Sequence, residues 1–533
     1  MRFFGKIVIL LFLVLSLVYC KKATTWDVDL AIPIAKSHLN ISNFFGDTIF
    51  KADPTGLLHI AFSKDLINYT MDSLVSLPDT VVEVGKTFPF STSLSPGVQI
   101  FTNSAPGTTD KEITFDISNG VELNKAIVRK GSLKIEYINS YAQPLKFNYI
   151  INSASLYGSL LSINQVVPGA STLVKTYSLD NYTIDLKGLS GNQVNTLVQT
   201  YTISTDASGS ADVLQPGQGL IIKLSFEDLI PEYIQGYFGK QNLSFGPDSS
   251  ALGILGNFNP SNLVLSQSSI NFRIVNEFGI EMSSSINNMR SIKTSPPNVV
   301  TLNAGNLLQS INVNRATKTN NPSNPVFPWV KQINVNSSNS NLNPFLQNLP
   351  NYLGYSVNAT INPLGNISGA NDFAFYGRGL KVTADIDIPL ALSANYFGLV
   401  NYSKVDLTQL KELNDVNSCE INLQAKNNYP FRAQIQGYML NDQGQIIDSL
   451  FIPGQNIIES AITDINNNVL NYVDSKLVAT FDKTKINNLT QCKQIKFVSY
   501  LFLPNQPTPI KITEDSYLDL VVSAFLNYTA KAK

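Results

Sequence analysis

Two histidines, His38 and His59, are all the imidazole in this chain. A zinc site could draw on both with a carboxylate such as Asp47, but zinc motifs set paired ligands a few residues apart, and no such pair occurs. A Ser-His-Asp hydrolase needs one of them as its base and a G-x-S-x-G turn to present the nucleophile; that turn is absent. The P-loop and the G-x-G-x-x-G fingerprint are absent too. A glycosidase needs only two carboxyl groups flanking a bond and leaves no local signature, so Glu227, Asp228, Asp385 and Asp387 are candidates that spacing does not rank. Asp385 and Asp387 alternate with Ile386 and Ile388, as in a strand with one solvated face. Tyr233, Tyr237 and Phe238 cluster in one short stretch that reads as packing rather than as a ligand platform. The sequence therefore predicts a non-enzymatic protein, with no metal and no cofactor.

Such a protein works through surfaces, and the composition says what builds them. Hydrophobic residues make up 44% of the 533 residues, aromatics 10% and charged residues only 14%. Few charges with many aromatic and β-branched residues exclude a largely disordered chain and predict β-rich domains faced with Asn, Ser, Thr and Gln. The 38 basic and 39 acidic residues leave a net charge of −1. That balance excludes a nucleic-acid partner, which would require a basic field.

The predicted fold class is mainly β: multi-domain, β-sandwich-like repeats with a few short helices. Period-2 alternation marks strands at Trp26–Ile34, Lys134–Asn139, Lys146–Ile151, Ile221–Phe226, Asn271–Val275, Lys381–Ile388, Asn422–Ala425 and Asp519–Val522. Helical spacing marks Phe226–Phe238, Ser403–Val416 and Asp482–Leu489. Three segments repeat a pattern in which apolar residues lie four and two positions before an asparagine and an aromatic lies two after it. They are Ile135–Tyr141, Phe272–Phe278 and Leu423–Tyr429, and the amides of Asn139, Asn276 and Asn427 are expected to support a bend into the next strand. Val166–Gly169 and Phe451–Gly454 extend the first and third copies. Asp27–Pro33 and Asp385–Pro389 form a second similar pair. The intervals indicate duplicated domains rather than a solenoid. The expected division is a signal peptide over 1–19, an N-terminal β region over 20–110, β domains over 111–240 and 241–370, and a C-terminal sandwich over 371–533. The Pro/Asn-rich run Thr319–Pro328 and the run Asn336–Asn341 read as exposed connections, with a boundary or insertion nearby.

The N-terminus gives an address. Arg2 and Lys6 precede the apolar run Ile7–Val18, which stops at Tyr19-Cys20-Lys21-Lys22, the layout of a secretory signal too short to span a membrane as a helix. Leu17–Cys20 resembles the lipobox of bacterial lipoproteins, which implies that Cys20 becomes an acylated N-terminus. Only Cys419 and Cys492 then remain. Export permits a disulfide between them, and two buried thiols are the alternative. Trp26 either lies at the membrane interface or packs into the first domain, and Trp329 reads as an anchor beside the Pro/Asn-rich run.

Together with that lipobox, Trp26–Ile34, Asn427–Pro430, Asn441–Gly444, Ile447–Leu450 and Ser516–Leu520 resemble outer-membrane-associated lipoproteins of Bacteroidota. The resemblance implies an envelope protein held in the membrane by its N-terminal acyl chains and brings no catalytic residues. The acidic run of surface-exported members is absent after Cys20, which implies the periplasmic leaflet. By the same resemblance, Asp-Ser/Thr-aliphatic triplets at Thr48, Ser73, Thr80 and Ser449 are O-glycan acceptors. The function expected is an interaction or accessory subunit with an outer-membrane protein partner. A carrier of a lipid or other apolar ligand is the alternative, and a glycan-binding protein a more distant one.

Overall fold

The structure is a computed structural model that describes residues 25–40, 50–105, 111–251, 264–265, 267–393, 396–405, 416–452, 454, 456–465, 467–502 and 509–531. Three strands come first: β1 (Thr25–Leu39), β2 (Leu58–Thr70) and β3 (Thr80–Thr87). Next come β4 (Gln99–Thr102), β5 (Glu122–Asn139), β6 (Leu145–Leu156), β7 (Ser159–Val167), β8 (Ser171–Ser178), β9 (Thr196–Thr205) and β10 (Gly219–Tyr237). A second series is β11 (Gln241–Ala251), β12 (Ser269–Asn276), β13 (Met282–Thr294), β14 (Pro297–Thr301), β15 (Trp329–Asn336), β16 (Tyr352–Ile361) and β17 (Gly379–Pro389). A third is β18 (Tyr396–Lys404), β19 (Val416–Asn427), β20 (Arg432–Leu440), β21 (Ile446–Ser449), β22 (Val473–Phe481), β23 (Gln494–Phe502) and β24 (Leu518–Lys531). Shorter strands are named by residue.

Antiparallel pairing sorts these strands into three pairs of sheets, the first pair being joined at one end by Thr183–Asp185, which pairs with both β5 and β6. The first pair is β3-β10-β5-β8 with β4-β9-β6-β7, the second β2-β17-β12-β15 with β11-β16-β13-β14, and the third β1-β24-β19-β22 with β18-β23-β20-β21. Counting the eight strands of each set along the chain, every first sheet runs 1-8-3-6 and every second sheet 2-7-4-5. That order is the eight-stranded jelly roll, two Greek keys closed face to face. The predicted mainly-β sandwich repeats are therefore what the chain forms. Each strand alternates buried and exposed residues, as in β5, where Leu133, Ile135 and Tyr137 point into the sandwich.

The opening strands of the three rolls are nested. β3 pairs with β10 in roll one, β2 with β17 in roll two, and β1 with β24 in roll three, where Thr25 faces Lys531. Residues 25–87 thus form no unit of their own, contrary to the N-terminal β region expected over 20–110. The roll-to-roll joints reuse one device. Asp372–Phe375, in the last connection of roll two, adds to β10 of roll one, and Ile510–Lys511, in the last connection of roll three, pairs with Ala391–Ser393 just beyond β17.

The asparagine bends lie where the sequence puts them, between the third and fourth strands of each roll. Phe278 N–H donates to Asn276 Oδ1 at 3.0 Å, while Asn276 Nδ2 donates to Ile280 O at 3.0 Å and Asn314 O at 2.8 Å. Asn427 does the same with Tyr429 N, Phe431 O and Glu459 O, and Asn139 with Tyr141 N, Gln143 O and Pro168 O. The carbonyls of Tyr141, Phe278 and Tyr429 accept from Ala170, Ala316 and Ala461. Tyr141, Phe278 and Tyr429 are all buried. Pro168 therefore corresponds to Glu459, so Phe451–Gly454 is not the counterpart of Val166–Gly169. Nor are Asp27–Pro33 and Asp385–Pro389 counterparts: the first lies in the opening strand of roll three, the second in the closing strand of roll two.

Helices are few: α1 (Met71–Leu74), α2 (Leu342–Gln347) and α3 (Lys483–Gln491). α3 lies where helical spacing marked Asp482–Leu489, and Asp482 caps it by accepting from Lys485 N–H at 2.8 Å. Phe226–Phe238 is corrected from helix to strand. It runs through β10, whose pairing with β5 shifts register repeatedly between Glu227 and Tyr233. Each bulge turns the next residues to the other face, so apolar positions recur at spacings that imitate a helix. Of the third expected helix, Ser403 lies in β18 and Val416 in β19, while 406–415 lie outside the described residues. Thr319–Pro325 is largely exposed and Asn336–Asn341 lines a turn, but both lie inside roll two rather than at a boundary.

Candidate functional site

The residues singled out for chemistry do not converge. His38 and His59 belong to different rolls: His38 Nδ1 lies 2.5 Å from Asp519 Oδ1, and His59 Nδ1 lies 2.8 Å from Asp387 Oδ1. No cluster of three metal-ligating side chains occurs among the described residues. Glu227 is drawn to Lys134 at 3.5 Å, Asp228 occupies a left-handed bulge position with φ 54°, and Asp385 faces Asn271 and Ser63 across the sheet. Tyr233 and Phe238 are buried, as expected for packing, and burial pushes the Tyr233 hydroxyl up to about 12. Trp329 is partly buried against the core of roll two, and Trp26 is 51% exposed on β1.

Cys419 and Cys492 are separate buried thiols, the second of the two readings the sequence left open. Cys419 lies inside the first sheet of roll three, opposite Phe481 and Leu526. Cys492 follows α3 at the edge of the second sheet and directs Sγ to Gln494 O at 3.3 Å. Burial pushes the Cys419 thiol up to about 11 and raises that of Cys492. Among the glycan-acceptor residues, Ser73 is exposed in α1, and Thr80 and Ser449 are half-buried. Cys20 and Thr48 lie outside the described residues.

A site emerges instead when equivalent faces of the three rolls are compared. The outer face of each second sheet is built from side chains that alternate away from the sandwich. In roll one it carries Thr202, Asn148 and Asn164 in one cross-strand row. In roll two, Ser244, Asn358 and Ser285 form such a row. Small hydroxyls and amides make these rows polar.

Roll three breaks that pattern. On β23, Ile495, Phe497 and Leu501 point inward, leaving Lys496, Val498, Tyr500 and Phe502 outward. On β18, Val400 stands opposite Val498 and Tyr402 opposite Lys496. Tyr402 is 51% exposed, Tyr500 43% and Phe502 41%. Gly398 stands opposite Tyr500, and a Cβ there would lie 3.6 Å from the Tyr500 ring. The ring therefore leans over the bare glycine. Lys496 Nζ lies 5.9 Å from the centre of the Tyr402 ring. Tyrosines with a polar tip on an apolar body are the side chains that anchor protein interfaces. One sequence signal could have found this face: Ile495–Phe502 is apolar except at Lys496 and Ser499, the composition of a strand covered on both sides.

Among the described residues, no helix is long and apolar enough to cross a membrane. No family model matches the chain, and no curated protein aligns with it. Solved structures match it distantly. One is a protein of Parabacteroides distasonis assigned as secreted, at 12% identity and TM-score 0.27, covering 53% of this chain and 82% of that one. Another is the empty particle of cowpea mosaic virus, at 11% identity and TM-score 0.15, covering 61% and 91%. A third is the subviral particle of infectious bursal disease virus, at 8% identity and TM-score 0.12, covering 92% and 86%. At these TM-scores the chains do not superpose as wholes.

Proposed function

We propose that this chain is a lipid-anchored cell-envelope protein that acts without catalysis, as an interaction or accessory subunit at the outer membrane. One observation carries the reading: the second sheet of roll three gathers Val400, Tyr402, Tyr500 and Phe502 on its outer face, three aromatics where the row of Tyr352, Ile292 and Val299 in roll two has one. Exposed aromatic surface of this kind costs solubility unless a partner covers it. Acylation of Cys20 would place the anchor five residues before β1, whose whole length pairs with the last strand, so roll three would be held close to the bilayer. The half-exposed Trp26 suits that position. The grooves found among the described residues open on outer faces, while Tyr137, Phe147, Tyr149 and Tyr201 fill the space between the sheets of roll one. A carrier of apolar ligands would need such a space to be hollow.

The decisive experiment is capture of partners from solubilised membranes by the intact lipidated chain, in parallel with Tyr500→Ser/Phe502→Ser. The same membrane protein should be recovered in stoichiometric amount with the wild type and lost with the variant at unchanged melting temperature. Equal recovery by both would remove the aromatic face from the function. Cys20→Ala should move the protein to the soluble fraction, because each buried acyl CH₂ contributes about 0.8 kcal/mol. Retention of that variant on salt-washed membranes would remove the lipid anchor.

A further inference from the structure

The first sheet of roll three carries an open groove of about 840 Å³ on its outer face, on the opposite side of the sandwich from the aromatic surface. Across its four strands the register sets Lys36 in a row with Val521, Gln424 and Lys476. Two residues along, His38 lies in a row with Asp519, Lys426 and Asp474. The corresponding faces of the other rolls also carry lysines, and three of those are matched by carboxylates. Lys223 lies 3.6 Å from Glu136 and Lys134 3.5 Å from Glu227 in roll one, and Lys381 lies 3.1 Å from Asp65 in roll two.

In the groove, no carboxylate of the described residues comes within 4.0 Å of Lys36, Lys426 or Lys476. Asp519 is engaged by His38, whose ring stacks on Tyr517 with centres 5.7 Å apart, and Lys426 Nζ lies 4.9 Å from the centre of the Tyr472 ring. Three ammonium groups thus surround a floor of Val521 and Gln424, and against the two carboxylates of the lining, Asp474 and Asp519, they leave one positive charge in excess. Ammonium groups are point charges that approach an oxyanion from several directions, unlike the planar fork by which arginine grips a carboxylate. The volume is that of a small-molecule site rather than of a bare ion.

We propose that this groove binds a phosphate-bearing molecule of sugar-phosphate size, with Lys36, Lys426 and Lys476 as its charge partners and Val521 and Gln424 beneath its body. The proposal is independent of docking on the aromatic face, since the two surfaces lie on different sheets. Titration calorimetry of the full-length chain in detergent tests it with three probes: a hexose monophosphate, the unphosphorylated hexose, and phosphatidylglycerol vesicles. The hexose phosphate should bind and the hexose should not. Lys36→Gln/Lys476→Gln should weaken binding by roughly tenfold or more, because two charge-assisted contacts are lost. Lys223→Gln in roll one should leave binding unchanged, and thermal melts should show all variants folded. Equal binding of both hexoses, no heat from either, or an affinity indifferent to the two lysines would overturn the proposal. Binding confined to the vesicles and lost in the double variant would assign the phosphate to a lipid headgroup and overturn the soluble ligand.

Discussion

Rolls one and three share a strand order and a bend, and differ in what they do with their outer faces. In roll one, Lys223 and Lys134 have their own carboxylates and the second sheet is lined by Thr202, Asn148 and Asn164. In roll three, Lys36, Lys426 and Lys476 look outward without such partners and the second sheet displays Tyr402, Tyr500 and Phe502. The interior plan leaves the outward positions of each strand unconstrained, because side chains alternate strictly between faces. A repeated fold can therefore keep its bends and core in every copy while one copy acquires binding surfaces. On the proposed reading, roll three is the contact module and roll one a spacer.

The shared part of that comparison breaks most visibly at the bend aromatics. Tyr141→Ala and Tyr429→Ala should each lower stability by about 3–5 kcal/mol, since both rings are fully buried. Denaturant titration with hydrogen exchange resolved by roll measures both, and a large loss in one roll only would deny the bends a common role. Asn139→Ala and Asn427→Ala should each cost about 1–3 kcal/mol, because the backbone groups they serve are left unpaired inside the protein. An unshifted unfolding midpoint in both would remove the bend argument.

Alkaline pH should separate the two rolls. Roll three holds both buried thiols, and burial pushes the Cys419 thiol up to about 11, against 9.0 for a thiol in water. Between those values the unfolded chain releases a proton that the folded chain keeps, so stability falls as pH rises through the window. In the lower part of that window, before the buried Tyr137 and Tyr149 of roll one contribute, exchange protection in roll three should decline by more than in roll one, and Cys419→Ser should shrink the difference, Cys492 keeping the rest. Two labels per chain on alkylation after unfolding without reductant would accompany this result, whereas none would restore the disulfide. The smallest contrast is a single hydroxyl. Tyr429 Oη donates to Leu39 O at 3.2 Å, tying β1 to the bend, while Tyr141 Oη has no hydrogen-bond partner among the described residues. Tyr429→Phe should therefore cost about 1 kcal/mol, and Tyr141→Phe should be close to neutral.

Local physics was legible in the sequence. The alternation at Lys134–Asn139 and Asp519–Val522, the helix opening at Asp482 and the asparagine bends all depend on residues within a few positions of one another, and all lie where the pattern puts them. What failed depends on distant partners. Nothing in Thr25–Leu39 says that it will pair with Leu518–Lys531, because an alternating strand accepts any edge of matching register. The β10 bulges imitated a helix because their offset is dictated by β5. The groove lysines could not be told from the paired ones, since pairing is decided across strands hundreds of residues apart. The aromatic face was legible only as an apolar run, without the knowledge of which residues turn outward.

The nested opening strands set a timetable for the chain as it is made. β3 needs β10, roughly 130 residues later, whereas β1 must wait for β24, almost 490 residues later. At about 5–20 residues per second that wait lasts on the order of half a minute to a minute and a half. Through it, an alternating strand of 15 residues carries an unsatisfied edge. Roll one can close first, roll two can close around it, and roll three closes last, so assembly runs outward from the middle of the sequence. A chain stopped before Leu518 would possess two complete rolls and a third with its opening strand unpaired, a species that quality control could recognise by one exposed ribbon.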